Sequence, residues 1–573
     1  SGNIRMGVLL SRKNYYVVLF IFAIILSFIS CKEIVQGPDS AEAPLSTVWS
    51  LTPPPAVYAY NVSGLNITVN NNAVYGEIRY TTNGDDPISL GLVYSGSITI
   101  TGPCTVKLVS ITNGVPSPIY SAYYTFKLSP PVFSPPGGLY NTNQNVSLTA
   151  APGGVVIKYT TDGTDPKTSG TAMFYGAAIP VSINTPIHAY CYFPGYMDSD
   201  TATHNYVIMP GLFVKTTGND TTGDGSPGNP YQTITKAITM APASTNIYVA
   251  AGTYIESIYI TNHKTVLGGY NNANWLDVNV QDRENPIYKT QIVSALPIAV
   301  TIDSCSNPMR LQGFVIHSGP GLNSFGVKIV GGNPMVRFNT IGGGIGTNSS
   351  TGISLTTSST ATIQYNIIGG GNSPNINTGI QIDGGSNPFI TQNAINGSTN
   401  SPATSYAINA INASAPVKIF NNLISGGNGN DSYGIRFAIG AAQIYNNTII
   451  TGTRTGASAT YGYYGDPSGT TELRNNVIIT DGSASSNYAV YINGASSTSM
   501  DYNTYSPALL LFNITIGAGN IQTPVVLDAA KRPTAASDPS IQTGGTNLSG
   551  FFTVDLQDNT RTDPWSRGCY EYN

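Results

Sequence analysis

The chain has 573 residues, of which 41% are hydrophobic and only 9% charged, with a formal net charge of -4. That length suits several modules or one long repetitive one, and core material is not scarce. A weakly acidic chain offers no basic field to draw in phosphates, which excludes nucleic acid as an expected partner, and polar positions filled by Asn, Thr, Ser, Gly and Tyr favour strands and turns over helices.

In chain order the first feature is a leader. Arg5, Arg12 and Lys13 precede the apolar run YYVVLFIFAIILSFIS, which has the length of a signal-peptide hydrophobic region, and small Ser30 comes immediately before Cys31. The stretch FISC resembles a bacterial lipoprotein signal, with Phe28 standing where that family usually carries leucine. The resemblance implies that residues 1–30 are a signal peptide, that Cys31 is lipidated, and that the remainder is exported and lipid-anchored in the bacterial cell envelope, at the outer membrane or cell surface. An uncleaved membrane anchor and an ordinary secretory peptide are the alternatives. Residues 31–47 are polar and small and read as a flexible tether. Cys104, Cys191, Cys305 and Cys569 are scattered without paired metal-ligand spacing and read as buried free thiols.

Residues 48–128 and 129–208 repeat one pattern. Each copy opens on prolines (LTPPPAVY, LSPPVFSPPGGLY), passes through an alternating strand (NITVN, NVSLTA), and reaches an acidic loop, YTTNGDDP at 80–87 and YTTDGTDP at 159–166. A further strand follows (TVKLVSI, PIHAYCYF), then a closing one (YSAYYTF, THNYVI). Short alternating runs punctuated by Gly, Pro, Asn and Asp predict two tandem Ig-like β-sandwiches. Both copies resemble the C-terminal β-sandwich module of chitobiases and β-hexosaminidases, for which YTTDGTDP is the hallmark. The loops themselves read as turns. Asn83-Gly84 and Asp162-Gly163 pair a side chain that caps its own backbone with a glycine that tolerates positive φ, and Asp86-Pro87 and Asp165-Pro166 predict an extended exit. Calcium is the one ion the loops invite, but it takes six to eight oxygen ligands and two neighbouring carboxylates supply too few. No metal site and no cofactor are expected.

From residue 209 the pattern changes. A Gly/Asp-rich loop leads into a helix with Ile234, Ala237, Ile238 and Ala241 on one face. This segment, with NIYVAAGTYIESIYI and KTVLGGYNNANW after it, resembles the N-terminal cap found in front of many bacterial pectate-lyase-like β-helices. Residues 209–310 are accordingly read as cap and first coils. The coils of 311–507 are marked by Asn339, Asn366, Asn393, Asn422, Asn447, Asn476 and Asn503, with steps of 27, 27, 29, 25, 29 and 27 residues, and Gly313 is placed in the same register 26 residues earlier. A period in the twenties without helical patterning predicts a solenoid, and the pectate-lyase-like resemblance implies that it is a right-handed parallel β-helix. Apolar columns three residues before each Asn (Val336 to Met500) and two after (Ile341 to Tyr505) form its core, and the asparagines form an internal amide ladder. The tail DLQDNTRTDPWSRGCYEYN resembles the closing segment of bacterial β-helix proteins, with Cys569 where alanine is usual, and residues 508–573 are read as a C-terminal cap over the last rung.

A second strand lies about a dozen residues before each Asn (GVKI, GISL, GIQI, AINA, GIRF, GYYG, AVYI). Its second residues, Val327 to Val490, should point inward. Its third residues should point outward: Lys328, Ser354, Gln381, Asn409, Arg436, Tyr464 and Tyr491. Polar groups ending in two stacked aromatic faces suit a sugar polymer, although outward positions on any β-helix are polar. The pectate-lyase-like resemblance implies cleavage of acidic polysaccharide, by a carboxylate cluster holding calcium beside a Lys or Arg base, or by several gathered aspartates. Asp303, Asp383, Asp431, Asp466, Glu472, Asp481 and Asp501 share no register, and His317 has no evident partner. No catalytic residue is therefore assigned; Asp383, Arg436 and Lys328 are the least implausible participants. Three readings follow: a lipid-anchored surface protein binding glycan or extracellular protein without catalysis, a polysaccharide lyase or glycoside hydrolase, and a purely structural spacer.

Overall fold

The computed structural model describes residues 49–570 except 72–75, 276–288, 401, 415, 455–458, 467–469, 481–485, 495–497, 507–508, 529–530, 532–533, 535–536, 538–539 and 562–564. The leader, Cys31 and the tether lie outside the described residues, as does Asp481. The chain is nearly all β. Its described residues fall into two compact units: those up to 129 together with 151–155 and 192–200, and the remainder.

Each N-terminal repeat pairs a three-stranded sheet with a larger one in the same strand order. In the first copy Trp49–Thr52, Leu65–Asn71 and Ile98–Ile100 form the small sheet; Val57–Ala59, Tyr120–Lys127, Cys104–Thr112, Glu77–Thr81 and Leu92–Val93 follow one another across the large one. The second copy repeats this order, with Val132–Ser134, Gln144–Thr149 and Ile179–Val181 facing Gly138–Tyr140, Ala202–Ile208, Thr185–Tyr192, Val156–Thr160 and Met173–Phe174, and differs in lacking, among the described residues, the short strand Val115–Pro116 that pairs with Cys104–Thr112 in the first. The alternating strands bury one face, Ile67, Val106, Leu108 and Tyr124 in the first copy and Val146, Leu148, Ile187 and Tyr206 in the second. The opening prolines have a physical role in both. Tyr124 donates its hydroxyl to the carbonyl of Pro53 and Tyr206 to that of Pro135, so a buried phenol is satisfied at the same place in each copy.

The remainder of the chain from residue 212 is a parallel β-helix of three sheets. The first, of twelve strands, runs from Leu212–Val214 to Thr515–Ile516 and holds the strands before each Asn. The second, of eleven, runs from Gly252–Tyr254 to Ile521–Gln522 and holds the strands after it. The third, of ten, runs from Ile258–Ile260 to Leu510–Phe512. The inward columns are buried from Val336 to Met500 and from Val327 to Val490, in one continuous core. In the column two residues after each Asn, Tyr505 alone departs, half-buried one rung before the last. Helix Ile234–Met240, capped by Thr233, buries Ile234, Ala237 and Ile238 against the first coil and closes that end of the core. Two single-turn helices accompany it, Pro87–Leu90 and Ser540–Thr543.

The amide ladder is complete from Asn339 to Asn503. Each Asn Oδ1 accepts from both the backbone N–H and the Nδ2 of the Asn one coil earlier, at 2.8 to 3.1 Å, and every member is at most 3% exposed. The residue before each Asn, from Phe338 to Tyr502, has φ between 54° and 58°, which turns the chain sharply enough to aim the amide inward. Two corrections follow from the register. Gly313 aligns with Phe338, not with Asn339; Phe314 stands in the Asn position and its N–H begins the ladder by donating to Asn339. At the other end the ladder runs on to Asn520, only 17 residues after Asn503, a coil too short for the period to reveal.

Described parts of the tail do something other than cap an end. Residues 545–561 and 565–570 run back along the flank of the coils, over the tight turns. Val554 and Asp555 accept from Asn421 and Gln392, Ser566 accepts from Asn446, and buried Arg567 donates to the carbonyl of Asn503. Leu548 and Trp565 pack on Phe420 and Tyr445 there. Those rings sit on the outer side of the first sheet, and covering them removes apolar surface from water.

Candidate functional site

Strand pairing turns the expected stripe into one column on the third sheet: Lys328, Ser354, Gln381, Asn409, Arg436, Tyr464 and Tyr491 are direct neighbours in that order. Tyr259 and Thr301 extend it upstream and Phe512 downstream. Exposure along it is uneven. Ser354 is only 5% exposed and Asn409 only 6%, because short side chains lie beneath longer neighbours. Asn409 donates to Gln381 Oε1 at 3.0 Å and accepts from Arg436 at 3.2 Å.

A second outward column stands three residues earlier, and strict alternation conceals it. Phe325, Thr351, Thr378, Tyr406, Tyr433, Tyr461 and Tyr488 pair in sequence. Between the two columns lies a small residue, such as Gly434 or Gly462, that faces inward like the residue after it. A Cβ at Gly434 or Gly462 would meet Ile449 or Ile478 at 2.7 or 2.4 Å. Only a residue without a side chain lets the strand approach the core so closely. Two consecutive inward positions then bring the tyrosine three residues back onto the outer face. The signal was present in the sequence as tyrosines 27, 28 and 27 residues apart.

The two columns pack as a herringbone. Tyr406, Tyr433, Tyr461 and Tyr488 stack with centroids 4.7 to 5.5 Å apart. Tyr464, Tyr491 and Phe512 stack at 5.3 and 4.6 Å, and rings of one column meet the other edge-on at 75° to 89°. Within each column the ring faces are turned toward one another, so the array presents mainly edges and hydroxyls; Phe512, 46% exposed, ends the stack. The hydroxyls of Tyr406, Tyr433, Tyr461, Tyr488 and Tyr491 have no hydrogen-bond partner among the described residues, and neither has the buried Nε2 of Gln381. Burial pushes the phenols of Tyr406, Tyr433 and Tyr461 up, Tyr461 to about 12 with Asp431 adding to the effect, and Tyr433 further. These three are neutral donors at any physiological pH, and none of them is poised to act as a tyrosinate base.

The least implausible catalytic residues do not converge. Lys328 and Arg436 are four rungs apart, roughly 19 Å at ~4.8 Å per rung. The Arg436 guanidinium is engaged by Asp466 at 3.3 Å and lies over the Tyr406 ring. Asp383, just past strand Ile376–Ile382, accepts from the N–H of Gly384. Asp303 bonds Tyr259, and Glu472 bonds Tyr445 on the first sheet. Among the described residues no three His, Cys, Asp or Glu side chains gather in one place. His317, its pKa lowered by enclosure of its ring and by Lys289, lies at the end of a second-sheet strand, away from the tyrosines.

The acidic loops are saturated by their own chain. Asp162 accepts from the Thr164 N–H and hydroxyl at 3.0 and 2.6 Å and from the Thr171 hydroxyl at 2.6 Å, which lowers its pKa to about 2. Asp165 accepts from the N–H of Lys167. In the first copy Asn83 Oδ1 accepts from the N–H of Asp85, with Gly84 and Gly163 at φ of 83° and 82°. The exit differs from expectation in one respect. Asp86 is extended, but Pro87 then opens a helical turn with Asp86 as its N-cap, since the fixed φ of proline suits the first helical position.

Comparison with known families follows these boundaries. Residues 135–203 match the family described as Chitobiase/beta-hexosaminidase C-terminal domain, residues 65–124 the family described as Fn3 associated, and residues 216–400 a protein family of unknown function (DUF1565). The first repeat is thus matched under a different family from the second, although their strand orders agree. No curated protein sequence matches the chain. Among solved structures, an alginate lyase from Paenibacillus sp. str. FPU-7 is 12% identical, with TM-score 0.33, over 49% of this chain and 96% of that one. A complex of XylC with xylose is 11% identical, TM-score 0.27, over 63% and 98%. Fibronectin(III)-like modules of Clostridium thermocellum CbhA are 14% identical, TM-score 0.13, over 28% and 95%. All three scores lie below 0.5, and the fold above rests on strand register.

Proposed function

We propose that this protein is a non-catalytic cell-envelope lipoprotein that binds an extended glycan along the outer face of the third sheet, with the two β-sandwiches spacing that face from a lipid on Cys31. The observation that carries the reading is the set of tyrosine hydroxyls on that face, those of Tyr406, Tyr433, Tyr461 and Tyr488 in one column and of Tyr491 in the next, which no group among the described residues engages and which remain open to solvent. A hydroxyl so placed can exchange water for a ligand's hydrogen bond without breaking one of the fold. Spaced at the rung repeat of about 4.8 Å, these groups suit a linear polymer of similar repeat, contacted by hydrogen bonds at ring edges more than by stacking on ring faces. The engagement of Arg436 by Asp466 and the raised phenol pKa values support binding over turnover.

A glycan-array and degradation screen on the full chain tests this. Binding that is lost in Tyr461→Ala and Tyr491→Ala, with no new reducing or unsaturated ends, is the expected result. New chain ends abolished by Asp383→Ala would establish an enzyme instead, and no binding at all would leave a spacer. The anchor has its own test: palmitate incorporation should disappear in Cys31→Ala.

A further inference from the structure

The second sheet carries a feature the tyrosine face does not share. Its outermost column runs His317, Gly342, Gly369, Asn396, Ser425 and Ile450, each paired directly with the next. The two glycines leave the floor bare between His317 and Asn396: a Cβ at Gly369 would meet no atom within 4 Å. Two adjoining grooves result, of about 450 and 410 Å³, sharing Asn396, Ser398 and Thr399 as a common wall. Such volumes fit one to three sugar rings.

The lining is apolar beneath and amide-rich above. Ile345 and Ile367 are 58% and 55% exposed, one beside each groove, and Asn372, Asn400 and Asn428 stand on the rims. Among the described residues no carboxylate lines either groove, and the ionisable side chains there are His317 and Lys531. At the centre, Asn396 Oδ1 is buried and has no hydrogen-bond partner.

We infer that this groove is a second ligand site, separate from the tyrosine face, for a short uncharged saccharide. An apolar floor matches the C–H face of a sugar ring, and amides and hydroxyls, each able to donate and accept, match its equatorial hydroxyls. The Asn396 side chain, which lines both grooves, stands among these polar groups. The bare backbone at Gly342 and Gly369 lets the ring lie against the sheet, as a residue with a side chain would not.

Isothermal titration of the full chain with cellobiose, maltose and chitobiose tests the proposal. At least one should bind saturably. Gly369→Leu should abolish that binding by placing a side chain on the bare floor of the groove, and melting should change little, because a Cβ there meets no atom within 4 Å. Asn396→Ala should weaken it roughly fivefold, and melting should stay level or rise as an unsatisfied atom is removed. Tyr461→Ala should leave it untouched, which separates this site from the tyrosine face. Binding lost in Tyr461→Ala but kept in Gly369→Leu would overturn the proposal, as would no heat with any of the three sugars or equal binding of digalacturonate. Should Gly369→Leu fail to fold, the Asn396→Ala titration decides.

Discussion

The acidic loop at Asp162 and the tyrosine face of the β-helix exchange roles once their hydrogen bonds are counted. The loop is the most chemical-looking stretch of a chain with little charge, yet every oxygen of Asp162 is occupied by Thr164 and Thr171. The tyrosines look like packing, yet they leave five hydroxyls open. A polar group satisfied by its own chain has been spent on the fold, whereas one left open to solvent in a regular array is available to a partner outside it. Residue type alone does not distinguish the two cases.

That comparison can be broken or sharpened by substitution. The largest effect should come from the most saturated group. Asn422 accepts from Asn393 twice and donates to Ile390, Phe420 and Asn447 while fully buried, so Asn422→Ala should destabilise the β-helix by about 3 kcal/mol or more, read by denaturant unfolding. Next comes Tyr461→Phe, which keeps the ring stack and removes only an unpaired hydroxyl. Stability should stay within about 0.5 kcal/mol, whereas glycan affinity should fall roughly fivefold. Equal losses in both would make the hydroxyl structural and break the comparison.

A smaller effect belongs to Asp162. Its folded pKa is depressed to about 2 from an ordinary 3.8, so the ionised form contributes stability that is present above the ordinary value and lost as pH falls through the folded one. Wild type should melt above Asp162→Asn at neutral pH, and the gap should close between about pH 4 and pH 2. A gap that persists at pH 2 would deny the carboxylate its role. The smallest effect is none: EDTA or calcium should leave the melting curve of the full chain unmoved, and a shift removed by Asp162→Asn would return the loop to the status of a metal site.

The period of the solenoid was legible because each coil touches the next one about 27 residues on, so every contact that matters repeats in the sequence. The inward columns, the amide ladder, the capping helix at Ile234–Met240 and the duplicated sandwiches all follow from that locality or from plain alternation. What escaped was whatever breaks alternation or spans a long separation. The tyrosine column at 406, 433, 461 and 488 was hidden by a small residue that makes two successive positions face inward. The return of the tail along the coils joins residues 63 to 193 positions apart, for which no periodicity exists to read.

By itself, then, the sequence determined the repeat and which residues pack inside it, since burial is set by side-chain chemistry at fixed spacing. The tertiary structure alone decided which outward groups are left unpaired, because satisfaction of a hydrogen bond depends on what neighbouring coils and the returning tail bring within about 3 Å. Gly369 and Asn396 belong to that second kind: an absent side chain and an unanswered oxygen become a groove only when the coils are stacked.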